Sequence, residues 1–272
     1  GFGLILFAFS SVSTFGIASI PVINTFILGL IVIAIFTFRQ LKIDHPLLNL
    51  SVFKSKVFTL SAIASMLVFI GIVGPALLIP MYVQTGLGLS ALLSGLVILP
   101  GAVFNAFISV YTGKIFDKYG IKVLVIPGFT VLIIMTILHA FLTTETPFWY
   151  VVVIYAIRMI SVGLLIMPLN TVGLNALKPE EISHGTAIMN SLRIIAGAMG
   201  TAISITILSI VAKNYTATHH TMSKVKLARE STVQGVDAAF IFTTVLIVIG
   251  FILALFIKEN RNAKDTDSSS EK

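Results

Sequence analysis

The chain has 272 residues, 57% of them hydrophobic and only 11% charged, with a mean hydropathy of +1.03. Soluble domains carry roughly 25% charged residues, so this chain has too little polar surface to cover a water-exposed globule. Its net charge of +7 lies in short gaps between apolar runs and in the tail, which argues against a nucleic-acid partner, and the absence of cysteine excludes disulfides, thiolate metal sites and thiol nucleophiles.

The apolar runs predict about eight membrane spans, at about 1–13, 22–38, 57–82, 90–112, 122–142, 148–170, 186–211 and 236–257. Runs near twenty residues suit a hydrocarbon core roughly 30 Å thick. Helices are expected because only helices and closed barrels satisfy every backbone group in lipid, and these runs exceed barrel strands. The fold class is therefore an all-α membrane protein. The first run begins at Gly1 without an initiator Met or a signal-peptide pattern, so the chain is expected to be a fragment that lacks an upstream part.

Basic residues predict the orientation. Arg39, Lys42, Lys54, Lys56, Lys114, Lys118, Lys122, Lys178, Lys258, Arg261, Lys264 and Lys272 fall on one side of the spans, whereas the opposite loops 14–21, 83–89 and 143–147 carry none. The positive-inside rule makes the first side, with the C-terminus, cytoplasmic. A segment at about 212–235, read as a loop, breaks the pattern with Lys213, Lys224, Lys226 and Arg229. His45 and Pro46 in the longest cytoplasmic gap suggest a boundary. The expected organisation is a pair of spans over 1–38, a cytoplasmic loop over 39–56, a six-helix bundle over 57–257 and a disordered tail over 258–272. Six helices suggest two three-helix repeats of inverted topology.

Between the fourth and fifth spans lies GKIFDKYGIK, residues 113–122. Gly113 permits close backbone approach, Gly120 a tight turn, Asp117 a favourable charge at a helix N-terminus, and Lys118 and Lys122 hold the segment on the cytoplasmic face. An ordinary basic turn would read the same way from spacing alone. The string resembles the G-x-x-x-D-[RK]-x-G-R-[RK] signature of the major facilitator superfamily and departs from it at Ile121. GLSALLSGLVILPG at 88–101, MPLNTVGLNAL at 167–177, HGTAIMNSLR at 184–193 and AGAMGTA at 196–202 resemble segments of its fourteen-helix drug:proton antiporters, close to lincomycin-resistance-type exporters of Gram-positive bacteria. The resemblance implies a helical bundle of that superfamily, with residues 1–38 as two inserted linker helices and the first six helices absent.

Two arginines fall inside spans. Arg158 shares a face with Tyr155 and Ser161, and burying a guanidinium is costly, so it is expected either to line or gate a pathway or to glue helices together. Thr186, Asn190, Arg193, Gly197, Gly200 and Ser204 share one helical face. Gly197 with Thr201, and Ala196 with Gly200, read as packing pairs, while Asn190 and Arg193 read as pathway residues. Ser94, Gly101, Asn105, Ser109 and Thr112 form a similar stripe, for packing or pathway alike.

No acidic residue falls in the interior of a predicted span. Asp44, Asp117, Glu145, Glu180, Glu181, Glu230 and Glu259 are expected in loops or at the tail junction, and Asp237 at the outer start of the last span. A proton-coupling carboxylate is therefore expected in the absent half, with His139, near the outer end of the fifth span, a weak candidate that reads more readily as interfacial. His219 and His220 lack a third ligand, so no metal and no cofactor is expected. The implied function is export of amphipathic drugs by alternating access in exchange for protons, in a bacterial plasma membrane and not as an enzyme. The alternatives are export of a native lipid, peptide or metabolite, a membrane enzyme, and a non-transporting scaffold. The partners are drugs, protons, the lipid bilayer and the N-terminal half of the same chain.

Overall fold

The computed structural model describes residues 1–15, 19–42, 49–219 and 222–257. Asp44, the boundary at His45 and Pro46, His220 and the tail from Lys258 lie outside the described residues. The helices are α1 (Phe2–Phe15), α2 (Ile20–Lys42), α3 (Lys56–Met81), α4 (Ala91–Tyr119), α5 (Lys122–Leu138), α6 (Phe148–Asn175), α7 (Ile182–Thr218) and α8 (Lys224–Leu255). Among the described residues no strand occurs, and seven helices are long and apolar enough to cross a membrane. The other, α1, has 14 residues, about 21 Å at 1.5 Å per residue.

Local sequence sets the boundaries. The Ser55, Ser90 and Ser223 hydroxyls accept backbone N–H groups at the starts of α3, α4 and α8, satisfying donors that have no intrahelical partner. A π-helical turn, Tyr82–Gly86, extends α3, and Gly88 with φ 71° turns the chain towards α4.

Four helices run further than their apolar stretches suggest. The fourth continues through Asp117 to Tyr119, leaving only Gly120 and Ile121 before α5, so the expected loop at 113–122 is mostly the last turns of α4. The sixth continues to Asn175 rather than ending near 170. The expected loop at 212–235 is an interhelical hairpin, with α7 running to Thr218 and α8 beginning at Lys224. Tyr215 Oη donates to Glu230 at 2.6 Å across this hairpin, and Lys226 pairs with Glu230 at 3.7 Å. Polar residues in a helix that has left the hydrocarbon look like loop to hydropathy, although Ser223 carried a helix-start signal.

In the bundle, α4 lies along α6 as α7 lies along α3, and α5 packs on α6 as α8 packs on α3. The central pairs are α3 with α6 and α5 with α8. Exchanging α3 with α6, α4 with α7 and α5 with α8 leaves these pairs unchanged, although α7 also packs closely on α8 where α4 barely meets α5. Because α3 and α6 start at opposite ends, the two triplets have inverted topology. The main core includes Val68, Leu78, Phe129, Leu165, Leu169, Phe240 and Ile247. The α1–α2 hairpin packs outside it, against α7, where Thr206 Oγ1 donates to the Phe9 carbonyl at 3.3 Å.

The end of the bundle that carries Lys56, Lys114, Lys118, Lys122 and Lys178 is called the basic end below. There, a short 3-10 turn at Leu50–Lys54 is tied to the α6–α7 connection by Ser51 Oγ donating to Glu181 at 2.8 Å. That turn lies inside the expected 39–56 loop.

Candidate functional site

At the basic end, Gly120 adopts φ 80°, a backbone state that a side chain would strain, and its N–H closes the last turn of α4 on the Phe116 carbonyl at 2.8 Å. The reversal needs so few residues that Asp117 and Lys118 stand exposed on α4 while Lys122 opens α5. The Lys118 ammonium sits 5.1 Å from the Tyr119 ring centroid. Gly113 is half-buried, with Met167 of α6 beside it.

The interior polar layer forms around Arg158, which is 0% exposed. Pro75 has no N–H, so the Gly71 carbonyl four residues earlier loses its helical partner. Arg158 supplies the replacement, its guanidinium donating to Gly71 O, while its Nε donates to Thr136 Oγ1 on α5 at 3.3 Å. One arginine on α6 thus ties α3 to α5. Its Nη1 has no partner among the described residues, and no carboxylate there forms an ion pair with it. Tyr155 and Ser161 are equally buried. Within the described chain, the Tyr155–Arg158–Ser161 face points into the bundle rather than along an open wall.

The α4 stripe meets α6. Asn105 Nδ2 donates to the Met159 carbonyl at 2.8 Å, and Thr112 Oγ1 lies 3.2 Å from the Gly163 carbonyl. A Cβ on Gly101 would come within 2.8 Å of Met159, and one on Gly163 within 2.2 Å of Ile108. Ser94 accepts from Gln84 Nε2 at 3.0 Å, whereas Ser109 is exposed and donates to its own helix at the Asn105 carbonyl.

The α7 stripe divides in two. Gly197 and Gly200 pack on Phe69, Ile70 and Val73 of α3, where a Cβ would meet side chains at 3.0 and 2.7 Å. Thr201 donates to the Gly197 carbonyl at 3.0 Å and, with Leu6 and Ser10 of α1, lines a cleft of about 440 Å³. Nearer the basic end the stripe opens. Asn190 is exposed and Arg193 half-buried, the guanidinium donating to Asn190 Oδ1 and lying 5.7 Å from the Phe69 ring centroid. Arg193 stands eleven residues into α7, about 17 Å along it, roughly half the thickness of a hydrocarbon core. An arginine and an asparagine presented at that depth are costly against lipid and suit a wet path or another protein surface.

Two features were not read as functional from the sequence. Arg229, in the second turn of α8, donates from Nε to the Gly86 carbonyl at 2.8 Å, and from one Nη to the carbonyls of Leu87 at 3.1 Å and Thr144 at 3.3 Å. It joins the α3–α4 and α5–α6 connections, and Tyr82 Oη adds a bond to the Thr143 carbonyl at 2.7 Å. This fork explains a basic residue at the end opposite the basic one. The second is Asp237. It stands thirteen residues inside α8 rather than at its start, and is half-buried. His139, just past the end of α5, is 0% exposed and stacks on Phe240 with ring centroids 4.9 Å apart. His219 stacks on Tyr215 in the α7–α8 hairpin.

Residues 1–201 match the family described as the Major Facilitator Superfamily. The chain is 39% identical over 259 residues to the lincomycin resistance protein LmrB of Listeria monocytogenes, covering 95% of this chain and 55% of that protein. It is 38% identical over 260 residues to LmrB of Bacillus subtilis, covering 95% and 54%. A more distant match, 28% identical over 184 residues, is the multidrug export protein EmrB of Haemophilus influenzae, covering 67% and 35%. The chain spans about half the length of the first two relatives.

Proposed function

We propose, from the premise that this chain belongs to the major facilitator superfamily, that it forms one wall of an exporter of amphipathic drugs that works by alternating access in exchange for protons. The observation that carries this reading is the alignment of 95% of the chain with lincomycin resistance proteins. The helical architecture makes the chain a multi-pass membrane protein. The greater length of the relatives supports a second bundle as its counterpart. In this reading α1 and α2 are linker helices, α3 to α8 form the C-terminal bundle, and the basic end faces the cytoplasm of a bacterium.

The residues divide by role. The exposed Asn190 and Arg193 pair lines the path, as its depth on an open face of α7 supports. Arg158, Tyr155, Ser161 and Asn105 hold the wall in shape, as the burial of the first three and the bond from Asn105 to the Met159 carbonyl support. Gly113, Asp117, Lys118, Gly120 and Lys122 form a cytoplasmic hinge, as the two-residue reversal supports.

Energised everted vesicles carrying the full-length protein test the function. They are expected to accumulate lincomycin or a fluorescent amphipathic dye, and each addition of drug should dissipate part of the proton gradient. Accumulation that survives collapse of the gradient would remove the proton from the account. No accumulation across a broad drug panel would leave the native-metabolite alternative.

A further inference from the structure

His139 and Arg158 present complementary unfilled atoms inside the bundle. His139 Nδ1 lies 2.6 Å from the Met135 carbonyl. A carbonyl only accepts, so Nδ1 carries the ring proton and Nε2 keeps a lone pair. That Nε2 is buried without a donor among the described residues, and Arg158 Nη1 is buried without an acceptor. The two side chains occupy one layer. Thr136, three residues before His139, bonds Arg158, while the His139 ring faces Tyr155, three residues before Arg158, with centroids 6.4 Å apart. Two orphaned buried polar atoms in a native interior need a partner or a bridging water, and each of these is what the other lacks.

We propose that His139 Nε2 is a proton-binding atom within this bundle, and that Arg158 satisfies its lone pair through one bridging water while the ring is neutral. The inference deepens the proton-exchange reading and rests on it only for its purpose. It departs from the sequence-based expectation, which favoured a carboxylate in the other half and gave His139 little weight. Binding a proton turns Nε2 from acceptor into donor and sets an imidazolium beside a guanidinium. The pair can no longer satisfy one another and they repel. The contact that yields is the Arg158 bond to Gly71, which fills the gap Pro75 leaves in α3. A proton would thereby loosen the break in α3.

The groups around the ring set the balance. From α6, the Arg158 guanidinium lies in the same layer through Thr136, and Tyr155 lies edge-on. From α8, Phe240 stacks on it, and Asp237 stands one turn earlier on that helix. From the end of α3, Tyr82 is bonded away to Thr143.

Ring-nitrogen NMR of labelled histidine, in the full-length protein in nanodiscs, tests this without any substrate. At neutral pH the wild-type protein should show His139 with Nδ1 protonated and Nε2 bare, titrating on acidification. Arg158→Gln should raise the midpoint by about one pH unit or more, roughly tenfold in proton affinity. A protonated Nε2 in the neutral ring would overturn the proposal, and so would a midpoint unmoved by Arg158→Gln in a folded protein. The tautomer is read on the wild-type chain, so an unfolded variant leaves that test standing. Failure of drug accumulation would leave both NMR outcomes intact.

Discussion

Pro75 and Arg158 act as a pair: the imino acid removes one donor from α3, and a side chain 83 positions later restores it. A carbonyl left bare in the interior costs about 1–3 kcal/mol. Arg158→Gln should therefore lower the detergent melting temperature by roughly 2–4 °C for each kcal/mol lost. Pro75→Ala returns an N–H to the Gly71 carbonyl, so the same Arg158 change should cost about 1 kcal/mol less in that background. Equal costs in both backgrounds, in thermal melts of all four proteins, would show that the arginine does not fill the proline gap. The sequence made Arg158 conspicuous as a charge in an apolar run and Pro75 conspicuous as a helix breaker. Which carbonyl meets which donor depends on helix register, and no periodicity in either segment contains that.

Apolar periodicity located all eight helices but shortened those that leave the hydrocarbon. The ends of α4 and α7 and the start of α8 are polar, because water replaces lipid around them, and hydropathy reads them as loop. Asp237 and Arg229 changed standing for that reason. Once α8 begins at Lys224, they lie inside a helix against two connections rather than beside a loose segment. Seams between helices were more legible, since glycine and small polar residues at helical spacing mark close approach. The α4–α6 seam is tight at Gly163, where a Cβ would fall 2.2 Å from Ile108, whereas a Cβ on Gly95 of α4 meets nothing within 4 Å. Gly163→Ala should cost about 1–3 kcal/mol through forced repacking, and Gly95→Ala should be neutral or gain up to about 1 kcal/mol from helix propensity. Comparable melting temperatures for the two variants would contradict this packing.

At the scale of the whole molecule, two inverted triplets enclose one polar layer around Arg158 and expose another at Asn190 and Arg193. The sequence grouped these residues together as pathway candidates because each is polar within an apolar run. Burial separates them: a guanidinium at 0% exposure holds helices, and one left half-open in the first third of α7 needs water or a protein neighbour. The central claim is that α7 presents a water-filled path rather than a lipid surface. Single cysteines in the full-length protein, with no other cysteine present, test it directly through their rate of modification by a membrane-impermeant thiol reagent. Asn190→Cys should react at least about tenfold faster than Ile241→Cys, an exposed apolar position on α8, because the thiolate that reacts forms only where water reaches. A transported drug should slow the first and leave the second unchanged. Equal, slow modification at both positions, insensitive to drug, would place Asn190 against lipid or a sealed interface and contradict the account.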